Sequence, residues 1–191
     1  MNAWNLQELS VLNWIATHIH CPFLDSIMPW ITKLGDNGIF WIAVAILLVC
    51  MPKYRKIGIT IGTALLFGVV IGNGVLKNMT TRIRPYDMEG AMFTSSQLLV
   101  KALSDYSFPS GHTLACCEAA TVLLIRKRQW GIGAAVIAVA VMFSRLYLYV
   151  HYPSDVLAGA VLGILFGILS VKLIDWLYTR VAAARNETSA G

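Results

Sequence analysis

The feature that most restricts what this chain can become is a run of twenty residues, 57–76, without a single charged side chain. Wound as a helix it is about 30 Å long, the thickness of a bilayer's hydrocarbon core. Predominantly apolar runs recur at 38–51, 110–125, 131–150 and 156–178. A shorter one, 22–34, follows the start at Pro22; it crosses tilted, or with part of what precedes it. Only 13% of residues are charged, where a water-soluble domain carries roughly twice that share. The expected fold is all-α, an integral membrane six-helix bundle over residues 22–181. Residues 1–21 mix Trp4, Leu9 and Trp14 with Asn5, Gln7 and Glu8, as an interfacial or amphipathic segment does. Residues 182–191 read as a small, polar, fraying tail.

The charges are concentrated in short knots. Lys53, Arg55 and Lys56 form one, and Arg126, Lys127 and Arg128 another, two apolar runs later. Both therefore fall on one side of a membrane, and the excess of basic residues makes that side the cytoplasm. The polar stretches 77–108 and 151–155 then face outward. A net charge of +5 distributed in this way does not suit nucleic acid, and no such partner is expected. The four cysteines, Cys21, Cys50, Cys116 and Cys117, lack CxxC spacing and read as small packing residues. The first twenty residues carry Glu8 and no Lys or Arg, which argues against a removable signal peptide. Gly58/Gly62, Gly68/Gly72 and Gly159/Gly163/Gly167 recur every fourth residue, the spacing that lets helices approach closely in lipid.

Three outward-facing stretches carry the chemistry. Lys77 closes one apolar run, Arg84 follows seven residues later just before Pro85, and Arg145 lies near the end of another run. A cation at a span's end is costly unless it meets an anion or a wet cavity. Two guanidinium forks and an ammonium suit the oxygens of a phosphoryl group. Pro109-Ser110-Gly111-His112 opens a helix whose first N–H groups are unpaired, with Gly111 leaving room for an oxygen and Ser110 as cap or donor. His151 and Asp155 flank Pro153 at the start of the last run. A carboxylate there can fix the imidazole's tautomer and stabilise positive charge on it during attack, while His112 is placed to protonate a leaving oxygen.

The order Lys77-x6-Arg84-Pro85, then Pro109-Ser110-Gly111-His112, then Ser144-Arg145-x5-His151-x3-Asp155 resembles the three-part signature of the type 2 phosphatidic acid phosphatase (PAP2) family, whose superfamily includes vanadium haloperoxidases. The three parts cover residues 77–155. The resemblance implies a membrane lipid phosphatase with His151 as nucleophile forming a phosphohistidine, oriented by Asp155. It implies His112 as general acid, and Lys77, Arg84, Ser110, Gly111 and Arg145 as the phosphate cradle, with Ser144 in support. Neither metal nor cofactor is expected, since cations already surround the phosphate. Expected partners are the bilayer and a lipid phosphate: undecaprenyl pyrophosphate, phosphatidylglycerophosphate or phosphatidate. An outward-facing site suits recycling of a carrier lipid, which favours the polyprenyl substrate. The alternatives are a haloperoxidase that holds vanadate in the same cradle and a non-catalytic or transport bundle.

Other residues carry weaker expectations. Glu118, seven residues after Gly111, should turn into the bundle interior. Asp36, Asp87, Glu89 and Asp105 read as solvated loop residues, and Tyr147, Tyr149 and Tyr152 as interfacial belt. The triplets at Asn78 and Asn186 match a glycosylation pattern that chance supplies freely.

Overall fold

The computed structural model describes residues 3–189, with side chains from 4 to 184. Among these residues every regular element is helical: α1 Ala3–His18, α2 Pro22–Lys33, α3 Ile39–Cys50, α4 Arg55–Phe67, α5 Lys77–Thr80, α6 Gly111–Arg126, α7 Arg128–Tyr147 and α8 Pro153–Ser189. A π-helical stretch, Gly68–Leu76, joins α4 to α5 without a break. Four stretches are long and apolar enough to cross a membrane: Pro22–Cys50, Arg55–Asp87, Arg128–Tyr147 and Pro153–Ala184. Leu47, Val70, Val136 and Leu165 stand exposed on them, as lipid-facing side chains do.

Helix α6 is the axis of the bundle. Every residue from Thr113 to Leu123 is buried, and most are small, so α4, α7 and α8 can pack closely around it. The glycine stripe of α8 faces this helix. A Cβ on Gly159 would come within 2.7 Å of the Ser110 carbonyl, on Gly163 within 2.7 Å of Cys117 Cβ, and on Gly167 within 2.7 Å of Thr121 Cβ. Gly58 makes a similar approach to the backbone of α3, whereas a Cβ on Gly62 would meet nothing within 4 Å. Cys116 and Cys117 are buried in the same core, where Cys116 Sγ accepts a hydrogen bond from Trp41 Nε1 at 3.2 Å.

The basic knots do share one end of the bundle. Lys56 and Arg126 both reach Asp175 of α8, at 2.5 and 2.8 Å. Lys53 and Lys127 both lie over the ring of Tyr54. The site residues occupy the other end.

The expected count of six crossings needs correction. Helix α2 begins beside Tyr147, whose hydroxyl accepts from the Cys21 N–H at 3.3 Å, and near its end Thr32 accepts from Arg145 at 2.5 Å. Both contacts are to the last turn of α7, at the site end. The chain then turns through Asp36–Gly38, and α3 runs on to the basic end. Segments 22–34 and 38–51 thus form one broken crossing instead of two, because twelve residues of α2 span only about 18 Å.

Helix α1 does not cross either. Leu9, Leu12 and Ile15 pack on Tyr147, Tyr149 and Tyr152, capping the site end. These tyrosines are fully buried, not an interfacial belt. Of the expected tail, residues 182–189 continue α8 as far as Ser189, as the strong helix formers Ala182, Ala183 and Ala184 favour, and residues 190–191 lie outside the described ones.

The two glycine environments predict opposite signs. Gly163→Ala should lower the thermal midpoint in detergent by several degrees, because backbone and Cβ atoms of α6 already occupy the space. Gly62→Ala should leave the midpoint unchanged or raise it, since only helix propensity changes there.

Candidate active site

The three polar stretches converge. Lys77, Arg84, Gly111, His112 and His151 share the wall of a cavity of about 400 Å³ that opens at the site end and deepens between α3, the π stretch and α6. Ser110, Arg145 and Asp155 stand behind this wall and are buried.

His151 follows α7 in a tight turn, beyond Tyr149, whose φ of +61° is left-handed. Its ring is 1% exposed. Nδ1 faces Asp155 Oδ2 at 3.5 Å and Ser107 Oγ at 3.5 Å, while Nε2 faces Arg84 Nη1 at 3.3 Å. Since a guanidinium only donates, Nε2 carries the lone pair and Nδ1 the hydrogen. Burial, then the charges of Arg84 and Arg145, hold this ring well below the ordinary histidine pKa, so it is neutral at pH 7.

Asp155 fixes that arrangement. It sits in the first turn of α8, and its carboxylate reaches back to the Tyr152 N–H at 3.0 Å, as an acidic residue in a capping box does. It also accepts from Ser107 Oγ at 2.5 Å and from Arg82 Nη1 at 2.5 Å.

Arg84 is held by backbone oxygens: Nε donates to the Asp105 carbonyl at 2.8 Å and Nη1 to the Val150 carbonyl at 2.7 Å. Its Nη2 donates to Asp105 Oδ1 at 2.6 Å, and the other Asp105 oxygen accepts from Lys77. Asp105 is half exposed, as expected of a loop carboxylate, but it is also tied to both cations. Burial tends to raise its pKa, but Lys77 and Arg84 outweigh that and bring it down to about 2. Asp36, also expected in solvent, accepts from His112 Nε2 at 2.6 Å. Arg145 is buried behind the wall: Nη1 donates to Thr32 Oγ1 at 2.5 Å and the buried Nε has no partner. Ser110 occupies the N-cap of α6 but makes no side-chain cap, and the N–H groups of the first turn stay available. Its own N–H donates to the Asp155 carbonyl at 3.1 Å, joining the second stretch to the third.

Sequence reasoning missed Arg82 and Ser107. Thr81, left-handed at φ +45°, ends α5 and turns the chain. Arg82 then lies over the Tyr152 ring at 4.0 Å and donates to Asp155, to Ser154 Oγ at 2.6 Å, to Asn5 Oδ1 at 2.7 Å and to Glu8. The signal available in the sequence was a second arginine two residues before Arg84. Its partners are far along the chain, and no spacing rule names them.

Comparison with known proteins gives concordant results. A family model described as the PAP2 superfamily matches residues 54–178. The chain is 34% identical over 173 residues to an undecaprenyl-diphosphatase of Sulfolobus acidocaldarius, covering 89% of this chain and 78% of the relative. It is 36% identical over 172 residues to phosphatidylglycerophosphatase B of Bacillus subtilis, covering 84% and 79%. The crystal structure of a transmembrane PAP2 type phosphatidylglycerolphosphate phosphatase from Bacillus subtilis superposes with a TM-score of 0.65 at 27% identity, over 92% of this chain and 88% of that one.

The environment of His151 has a direct spectroscopic consequence. The chain has four histidines. Carbon-13 ring shifts should show that the resonance lost in His151→Gln stays that of a neutral ring as pH falls from 8 to 6. An unfolded chain would take up this proton near pH 6.5 and the folded one does not, so acidification below that pH should destabilise the fold. A ring that titrates at 6.5 or above would contradict the geometry.

Proposed function

We take as premise that the chain belongs to the PAP2 superfamily, and propose that it is a multi-pass membrane enzyme that removes phosphate from a lipid phosphomonoester or diphosphate. The observation that carries this reading is His151, neutral, with Nε2 beside Arg84 on a cavity wall shared with Lys77, His112 and the open first turn of α6. In the proposed reaction Nε2 attacks phosphorus and the bond to the lipid oxygen breaks. His112 gives that oxygen a proton, and the imidazole carries the phosphoryl group. Water then attacks the phosphohistidine with His112 taking its proton, which frees phosphate and restores both rings.

Lys77, Arg84 and the N–H groups at Gly111 and His112 hold the equatorial oxygens, with Asp105 yielding the two cations to the substrate. Arg145 adds positive potential from behind the wall. Asp155 orients His151 and stabilises the charge that develops on it, and Arg82 in turn positions Asp155. These cations perform the charge neutralisation for which other phosphoryl-transfer sites use magnesium. Because the basic knots lie at the opposite end, the positive-inside rule supports a site on the extracytoplasmic face of the cell membrane. A lipid can present its phosphate there while its tails stay in the bilayer. Undecaprenyl pyrophosphate, phosphatidylglycerophosphate and phosphatidate all fit this description.

Phosphate release from a panel of these lipids, measured in the presence of a chelator, tests substrate and metal independence together. His151→Ala and His112→Ala should each lower turnover by about two to four orders of magnitude with the protein still folded; retained turnover in both would overturn the assignment. Arg82→Gln should lower kcat by about tenfold to a hundredfold with KM little changed, and Arg82→Lys should recover part of the loss.

A further inference from the structure

Below its charged rim the cavity is largely apolar, lined by Ile42, Leu65, Val69 and Leu114, with Asn73 beside Gly111 nearer the rim. Glu118 of α6 lines the same space, is 1% exposed, and has an oxygen, Oε1, without a hydrogen-bond partner. No cation pairs with it among the described residues. Room for the carboxyl exists because Gly68 opposite lacks a side chain; a Cβ there would overlap both oxygens. A carboxyl oxygen left without a partner at this depth is costly, and a ligand group that bonds to it removes the cost.

Its position relative to the chemistry follows from helix geometry. Glu118 is seven residues from Gly111, about 10 Å along the axis, and its side chain leans back toward the helix start. The carboxyl therefore lies roughly 5–8 Å beneath the N–H groups at the rim. With phosphorus held at His151, the part of the substrate that descends past His112 into the cavity is the leaving group.

We infer that Glu118 is a specificity-determining residue that hydrogen-bonds an oxygen of the leaving lipid a few bonds beyond the cleaved phosphorus. That oxygen is either the ester carbonyl of a glycerolipid or a non-bridging oxygen of the retained phosphate in a polyprenyl diphosphate. The inference rests on the lipid phosphatase reading and deepens it. A leaving group with no such oxygen strands the carboxyl among hydrocarbon, and a buried polar group left unpaired is what gives sites of this kind their discrimination.

The test compares kcat/KM for dioctanoyl phosphatidate, farnesyl diphosphate and dodecyl phosphate, the last having no oxygen beyond the cleaved ester. Glu118→Leu and Glu118→Met should lose tenfold or more on at least one of the first two. Dodecyl phosphate turnover should stay within about twofold, which also reports that the variants are folded. Glu118→Gln keeps a donor and an acceptor and should retain most of the preference. A loss confined to phosphatidate identifies the ester carbonyl, and one confined to farnesyl diphosphate identifies the phosphate oxygen. No loss, or an equal loss on all three lipids in both apolar variants, overturns the inference. If the unaltered protein hydrolyses none of the three, the lipid phosphatase reading fails instead.

Discussion

A carboxylate with no exposed surface, Asp155, is the constraint on which the rest of the site depends. Buried charge is tolerated only when its lone pairs are filled, and here four groups from three parts of the chain fill them. Arg82 and Ser107 come from the polar loop, the Tyr152 N–H from the start of α8, and His151 from the turn after α7. Removing Arg82 leaves the carboxylate without its counter-charge, and removing another partner leaves a lone pair unfilled. The His151 imidazole is therefore held by the same contacts that bind the loop to the bundle.

That network also explains the first helix. Glu8 bonds Arg82, accepts the Ser154 N–H at 2.6 Å and the Ser154 hydroxyl at 2.8 Å, so α1 satisfies the open N-terminus of α8 as well as the arginine. The apolar face of α1 covers the three tyrosines beneath. The N-terminal segment is thus a wall of the candidate site. The small residues of α6 and the glycines of α8 supply the matching constraint in the bundle, since only their close approach lets the Ser110 N–H reach the Asp155 carbonyl.

The π-helical stretch decides the shape of the cavity. In an α-helix Gly68 and Lys77, nine residues apart, would lie about 180° apart around the axis. Yet both line the cavity, with Asn73 between them. The wider winding brings Lys77 and the notch for Glu118 onto one face, and such segments recur where a helix serves a site.

Much of this was legible in the chain by itself. Apolar runs of helical length point to an all-helical membrane bundle, because a helix satisfies its backbone hydrogen bonds within one segment. The basic knots fix which loops share a side, and the pairing of Lys77 and Arg84 with His112, His151 and Asp155 on the far side follows from counting runs. Tertiary structure alone decided that Asp36 and Asp105 are bound to site cations and imidazoles, that Arg82 holds Asp155, that Arg145 turns to Thr32, and that residues 22–50 cross once with a break. The physical reason is common to all of these. Hydropathy and motif spacing record what a residue costs to bury and how far it lies from its neighbours in sequence, whereas the partner that makes burial tolerable is chosen by packing between segments up to 150 residues apart.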